Sequence, residues 1–312
     1  MRLIVKSGGP GAHVEWKDLF AQVAPGIEVL DWYNPPADPG GIEYAMVWDP
    51  DPGRLAALPD LKLIISSGAG IDHILADPQL PAHLPIARMV LEVTSIEMSE
   101  FVLMSALMLV RDMKRATVSQ ARRHWDTFPA PRRSTTTRVG IMGLGSLGAH
   151  AAGMLMRVGF PVSGWSRRPA DLPGVTCYAG PEQLDAFLAG TDILVCLLPA
   201  TEATRGILDA DTFARLPRGA SVINAARGAH VVVPDLLAAL DSGQLNQAVL
   251  DVFEPEPLAA DSPLWTHPGV IVTPHIASTP GRRDRAMHAA DLIRKQRQGE
   301  PLPNLYDRAA GY

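Results

Sequence analysis

The chain has 312 residues, 47% hydrophobic and 20% charged, the composition of a globular protein with material for about two domains. A formal net charge of -5 gives no bulk attraction to a polyanion, and two cysteines, Cys177 and Cys196, cannot build a disulfide framework. These numbers argue against a nucleic-acid-coating protein and a small disulfide scaffold, and fit a reducing compartment.

The sequence opens with MRLIVKSGG, an apolar strand running into a glycine turn, with neither signal-peptide nor transit-peptide character. Up to residue 98, LIV (3–5), IEVL (27–30), YAMVW (44–48), LKLIISS (61–67) and PIARMV (85–90) read as buried strands separated by turn clusters such as NPPADPGG. Helical segments fit between them, and a βα alternation implies a parallel sheet. Residues 97–119 carry one long helical pattern. Its most apolar part, FVLMSALMLV (101–110), is about half the length needed to span a bilayer, so a soluble cytoplasmic protein with no membrane partner is expected.

After the loop DTFPAPRRSTTT a second alternation begins. RVGIMG (138–143), FPVSGW (160–165), DILVCLLP (192–199), SVINAA (221–226), QAVLDVF (247–253) and GVIVTP (269–274) are its strands, and Cys196 inside DILVCLLP reads as a buried, inert thiol. The tail TPGRRDRAMHAADLIRKQRQG (279–299) reads as one more helix that returns to the first domain. The fold class is α/β, with two doubly wound parallel-sheet domains. A Rossmann dinucleotide-binding domain (99–279) is inserted into a flavodoxin-like substrate domain (1–98 and 280–312). A cleft between two such domains is where a small ligand is expected.

In GLGSLG, the residues Gly143, Gly145 and Gly148 form G-x-G-x-x-G between the strand at 139–142 and a helix from Leu147 to about Val158. The first glycine permits a tight turn, the second lets the backbone approach a pyrophosphate, and the third lets helix pack on strand. Leu144, Ser146 and Leu147 complete the loop and the first helical turn, whose N–H groups and dipole favour an anion. The next strand delivers Ser166, Arg167 and Arg168, where an NAD-specific site usually places an acid. A carboxylate there would repel a 2′-phosphate, whereas guanidinium forks pair with it, so NADP(H) is the expected cofactor. Solvated surface arginines are the alternative.

INAARGAHVV (223–232), LDVFEPEPL (250–258) and VTPHIASTP (272–280), together with GLGSLG, resemble the signature segments of the D-2-hydroxyacid dehydrogenase family in order and approximate spacing. The overall length, SSGAGIDHI (66–74) and the terminal GY are nearest to the glyoxylate- and hydroxypyruvate-reducing branch of that family. Hydride addition to a 2-oxo acid needs a cation for the carboxylate and carbonyl oxygen and an acid to protonate the alkoxide. Arg227, directly after SVINAA, has a fork suited to a carboxylate; His275, just past GVIVT, suits the general acid; Glu256, between Pro255 and Pro257, suits the group that orients the imidazole and favours its cation. Taken singly, these would read as a surface arginine, a capping histidine and a loop glutamate. Together at strand ends they form a catalytic set.

The resemblance further implies that Asp251 accepts from the nicotinamide carboxamide, although a strand-end aspartate also caps turns. It places Leu198, Pro199, Ala225, Arg227 and His275 along the cofactor. Ala69 and Gly70 would present backbone N–H groups to the substrate carboxylate together with Arg227, with a plain glycine turn as the alternative. Trp48, ending YAMVW, would wall a small substrate pocket, or serve as a core or rim tryptophan. No metal is expected. The family also implies a homodimer.

One stretch points elsewhere. Residues 111–138 hold eight basic against two acidic side chains, with Trp125 and Phe128 interleaved, a pattern nucleic-acid binders use. A solvated connecting helix and loop is the preferred reading, given the negative net charge, and no nucleic-acid partner is expected. The implied activity is NADPH-dependent reduction of small 2-oxo acids, glyoxylate and hydroxypyruvate first. An NAD-linked D-2-hydroxyacid dehydrogenase of another branch and a non-catalytic dinucleotide-sensing protein are the rivals. The arginines oppose the first, and the complete Arg227, Glu256, His275 set opposes the second.

Overall fold

The apolar runs become two parallel sheets, each wrapped on both faces. The computed structural model describes residues 1–308, and the terminal dipeptide that entered the resemblance lies outside them. The chain divides into two units, one holding residues up to Glu92 and from Pro280 onward, the other Val93–Thr279.

In the first unit the strands are β1 (Arg2–Lys6), β2 (Glu28–Asp31), β3 (Ile42–Val47), β4 (Leu63–Ser66) and β5 (Ile86–Ala87), in spatial order β2-β1-β3-β4-β5. That order reverses between β1 and β3, which is the flavodoxin-like arrangement. Successive side chains point to opposite faces. Leu3, Val5, Tyr44, Met46, Leu63 and Ile65 meet Trp16 and Phe20 of helix α1 (His13–Val23), while Ile4, Ala45, Val47 and Ile64 face Trp32, Leu55 and Ile74, the last on the one-turn helix α2 (Asp72–Leu75).

The second unit has seven parallel strands: β6 (Val139–Met142), β7 (Val162–Ser166), β8 (Thr176–Ala179), β9 (Ile193–Cys196), β10 (Ala220–Asn224), β11 (Leu245–Leu250) and β12 (Val270–Val272). Their order, β12-β11-β10-β9-β6-β7-β8, switches direction between β6 and β9, as a Rossmann sheet does. Helices α3 (Glu92–Arg111) and α5 (Ser146–Arg157) cover one face through Phe101, Val102, Leu109, Ala151 and Leu155. Helices α6 (Leu184–Ala189), α7 (Ala210–Arg215) and α8 (Val233–Asp241) cover the other through Phe187, Phe213 and Leu236. Cys196 is fully buried on β9, and burial pushes its thiol up to about 12, so it is inert as expected.

Three elements differ from the sequence reading. The helical pattern at 97–119 is two helices, α3 and α4 (Met113–Ala121). They break at Asp112, which takes a left-handed conformation (φ 51°) and accepts a side-chain hydrogen bond from Gln247. Aspartate tolerates that conformation better than most residues. Strand β8 was not anticipated: TCYA is a half-exposed edge segment that pairs only with β7, so it lacks the apolar run of a central strand. Finally, α3 begins at Glu92 and spans 20 residues, so by length and composition alone it could cross a membrane. Ten of those residues, including Phe101, Val102 and Leu109, are instead buried. The last helix, α9 (Arg282–Gln298), packs on α1 in the first unit through Ala286, Ala289, Leu292 and Ile293.

Candidate active site

The glycine loop follows β6 at the point where strand order reverses. Gly143 has φ 103°, and a Cβ there would lie 2.8 Å from the Leu197 carbonyl just beyond β9. A Cβ on Gly148 would lie 1.9 Å from the Gly143 carbonyl, so this glycine lets α5 sit against the turn. A Cβ on Gly145 would meet nothing within 4 Å. Gly145 is also the N-cap of α5 and supplies no side-chain cap to the first-turn N–H groups, which begin at Ser146. A phosphate fits that cradle. Leu144 and Leu147 turn their side chains into the hydrophobic core, which leaves the backbone as their contribution. Leu198 and Ala225 are almost fully buried, and the Pro199 carbonyl accepts from the Thr204 hydroxyl at 2.7 Å.

The Gly143 N–H donates to the Trp165 carbonyl, and Leu144 fills the space that a Cβ on Gly164 would occupy, so the loop and β7 are locked together. β7 ends at Ser166, whose hydroxyl donates to the Arg168 carbonyl at 2.7 Å. Arg167 and Arg168 follow directly and are exposed. The donor set beyond this strand is cationic, suited to a 2′-phosphate and unsuited to an acid's role on ribose hydroxyls.

Arg227, Glu256 and His275 lie on three loops that follow β10, β11 and β12, neighbours in the sheet. Asn224, fully buried at the end of β10, donates through Nδ2 to the Arg227 carbonyl at 2.8 Å and accepts from the Ala226 N–H at 3.2 Å. The following Gly228 is pressed onto the next loop: a Cβ there would fall 1.9 Å from the Phe253 carbonyl carbon. Phe253 N–H donates to Glu256 Oε1 at 2.9 Å, and Glu256 Oε2 lies 2.7 Å from His275 Nδ1. Both the Glu254–Pro255 and Glu256–Pro257 bonds are cis. The Arg227 turn, the loop carrying Glu256 and the imidazole therefore form one contiguous chain of contacts.

Asp251, expected to accept from the cofactor, also closes a turn. It is fully buried, and its carboxylate accepts from Thr273 Oγ1 (2.6 Å), Ile276 N–H (2.9 Å) and Ala277 N–H (2.9 Å). Its observed contacts are those of the turn-capping alternative. Asn224 and Thr273 were missed by the sequence reading, which weighed exposed loop chemistry. The available signal was a polar residue closing an otherwise apolar strand, where burial demands a partner.

In the first unit, Trp48 follows β3 and is 37% exposed. Its ring lies 4.0 Å from the His73 ring between centroids, and a Cβ on Gly68 would strike it at 2.6 Å. Trp48 and the SSGAGIDHI loop thus pack together at the carboxyl edge of β3 and β4. Gly68 N–H donates to Ser66 Oγ and the Gly70 carbonyl accepts from it, which shapes the loop around Ala69 and Gly70.

The basic segment 111–138 is tied down internally at several points. Arg115 forms a two-pronged pair with Asp126 (2.6 and 2.9 Å) and stacks over Phe128; Arg138 pairs with Asp192 at 2.8 Å; Arg132 donates to the Gly219 carbonyl. These contacts serve the connecting-helix reading. Trp125 stands 91% exposed.

A glycine loop at the switch point of a Rossmann sheet, with an arginine and a histidine–glutamate pair at neighbouring strand ends, defines a dinucleotide-dependent dehydrogenase. Residues 103–277 match the model of the D-isomer specific 2-hydroxyacid dehydrogenase, NAD binding domain. The glyoxylate/hydroxypyruvate reductase A of Salmonella newport (strain SL254) is 41% identical over 307 residues, covering 95% of this chain and 96% of that protein. Among solved structures, the D-isomer specific 2-hydroxyacid dehydrogenase of Xanthobacter autotrophicus Py2, in complex with NADPH and MES, superposes with a TM-score of 0.92 at 42% identity, covering 100% of this chain and 99% of that one. The NADPH-dependent glyoxylate/hydroxypyruvate reductase of Sinorhizobium meliloti, in complex with NADP and sulfate, gives 0.92 at 40% identity over the same shares. The chain belongs to the D-isomer specific 2-hydroxyacid dehydrogenase family. Its substrate class is a small 2-hydroxy or 2-oxo acid.

Proposed function

We propose that this protein is an NADPH-dependent reductase of small 2-oxo acids, converting glyoxylate to glycolate and hydroxypyruvate to D-glycerate. The observation that carries the reading is the Glu256–His275 contact at 2.7 Å, on loops joined to the Arg227 turn. When bound, NADPH supplies the hydride that adds to C2 of the acid.

The chain's own residues supply the rest. The first-turn N–H groups of α5 and the space over Gly145 receive the pyrophosphate, and Ser166, Arg167 and Arg168 receive the 2′-phosphate. Arg227 holds the substrate carboxylate and polarises the carbonyl oxygen. His275 gives a proton to the oxygen as negative charge develops there. Glu256 accepts from Nδ1 and fixes the ring. In the first unit, Trp48 and the amides of Ala69 and Gly70 are the substrate contacts this reading proposes.

The protein acts as a cytoplasmic homodimer in this reading. Ile96, Met104 and Leu107 on α3, Met113 on α4, and Trp125 are large apolar side chains left exposed, and a second copy of the chain is the partner assigned to them. The deciding assay follows nicotinamide absorbance with glyoxylate, hydroxypyruvate and longer 2-oxo acids, each with NADPH and with NADH. Turnover of glyoxylate and hydroxypyruvate with NADPH is expected. No turnover of either would end the proposal.

A further inference from the structure

We propose that Asp251 and Thr273 form a buried positioning pair that holds His275 in its backbone conformation and so aims the imidazole at Glu256. The inference rests on the reading of His275 as the proton donor.

His275 has φ 55°, a left-handed conformation that residues with a side chain seldom adopt. Something must hold it there. Besides Thr273 N–H to the Leu250 carbonyl (3.0 Å) and a longer bond from His275 N–H to the Thr273 carbonyl (3.1 Å), the surrounding segment, Thr273–Ala277, is bonded to one residue. His275 N–H donates to the Asp251 carbonyl at 2.8 Å and Thr273 Oγ1 donates to Asp251 Oδ1 at 2.6 Å. Ile276 and Ala277 donate their N–H groups to Oδ1 and Oδ2, each at 2.9 Å. The aspartate is itself anchored, because its N–H donates to the Asn224 carbonyl at 3.0 Å at the end of β10. Asp251 is fully buried, so no water competes for these donors.

The geometry is specific. Three donors converge on one carboxylate from residues two before, one after and two after position 275 in the turn. A shift of the turn would break several of these bonds at once, whereas a histidine held only by its own φ could swing away from Glu256. The Thr273 hydroxyl is the one side-chain donor among the three, so removing it loosens the turn without changing the charge of Asp251.

The test compares Thr273→Val, Thr273→Ser and Asp251→Asn with the unmutated enzyme and with His275→Ala, using kcat and KM together with NADPH affinity by fluorescence. Valine keeps the volume of threonine and lacks the hydroxyl. Thr273→Val should lower kcat about tenfold with NADPH affinity within about twofold, since small misplacements of a catalytic group can reach 10²-fold. Thr273→Ser should restore kcat. Asp251→Asn, which turns an amide NH₂ toward a backbone donor, should act in the same direction and more strongly.

A Thr273→Val enzyme with unchanged kcat overturns the proposal. So does an Asp251→Asn enzyme whose NADPH affinity falls while kcat at saturation holds, since the aspartate would then serve the cofactor. If His275→Ala retains full activity, the proton-donor reading itself is wrong, a different result from either of these.

Discussion

His275 meets Glu256 through Nδ1, at 2.7 Å from Oε2, so the ring nitrogen turned away from the carboxylate is Nε2. Glu256 is held in turn by its other oxygen, which accepts the Phe253 N–H at 2.9 Å. A carboxylate fixed at both oxygens sets the ring's tautomer and orientation.

Reduction draws its proton from His275. Glu256→Gln preserves shape but removes the charge that holds the ring, so kcat should fall with activity partly retained. His275→Ala should reduce kcat by about 10²–10⁴, the range for losing a positioned acid, with NADPH affinity little changed. Steady-state kinetics and NADPH titrations of the three proteins check this. An unchanged kcat in Glu256→Gln would separate the pair.

The glycines of the loop should fail in different ways. A methyl group on Gly148 would meet the Gly143 carbonyl at 1.9 Å, so Gly148→Ala should lower stability by about 1–3 kcal/mol or more, as overpacking does. Gly145 has φ -74° and open space at its Cβ position, so Gly145→Ala should fold with unchanged Tm. Its methyl group would instead enter the space assigned to the pyrophosphate, and NADPH KM should rise about tenfold, equivalent to roughly 1.4 kcal/mol. Thermal melts and cofactor titrations of both variants would show whether the two effects separate.

The contrast between these glycines shows what could be read in the sequence. A spaced glycine motif between an apolar strand and a helix announces its own backbone geometry, and both sheet architectures followed from the alternation of apolar runs. Arg227, Glu256 and His275 were proposed from the resemblance of their three segments to family signatures, and their places after apolar strands or in a proline-framed loop suited the chemistry. Asp251 was given its place on the cofactor by the resemblance, with turn capping as the alternative, because a strand-end aspartate looks the same in sequence in either role. The capping contacts could not be read there, since Thr273, Ile276 and Ala277 fall more than 20 residues later. β8 escaped notice for a related reason: an edge strand is covered on fewer sides, so its composition is not that of a core strand.

Cofactor preference should reside in the pair beyond β7. Replacing Arg167 and Arg168 with neutral residues should raise NADPH KM by about tenfold per arginine and leave NADH kinetics nearly unchanged, because only the 2′-phosphate is lost from recognition. Equal kcat/KM for the two cofactors in the unmutated enzyme would refute the assignment.

Oligomeric state can be tested through α3. Met104→Glu with Leu107→Glu places two charges among side chains that are 46% and 36% exposed in one chain, so folding should survive. A dimer relying on that surface should dissociate, since unpaired charges are poorly tolerated in a buried interface. Sedimentation should show dimer for the unmutated protein and monomer for the variant. A monomeric unmutated protein at micromolar concentration would rule out this surface as the contact.

Substrate class turns on Arg227. Its turn is held by Asn224 and pressed onto Phe253, so the guanidinium is presented from a rigid backbone and matches a carboxylate in a way that a lysine ammonium does not. Glyoxylate should therefore turn over while a neutral aldehyde of similar size should not, because the donors assigned to the carboxylate would then be left unsatisfied. Arg227→Lys keeps the charge and loses the fork. It should raise glyoxylate KM by about 10- to 100-fold, equivalent to roughly 1.4–2.8 kcal/mol, and lower kcat as well if the same fork polarises the carbonyl. Asn224→Ala, which frees the Arg227 carbonyl from its 2.8 Å bond, should move the same two constants in the same direction by a smaller factor. Steady-state kinetics with both substrates for the three proteins measures all of this. Comparable turnover of glyoxylate and the neutral aldehyde by the unmutated enzyme would mean that Arg227 does not read the carboxylate.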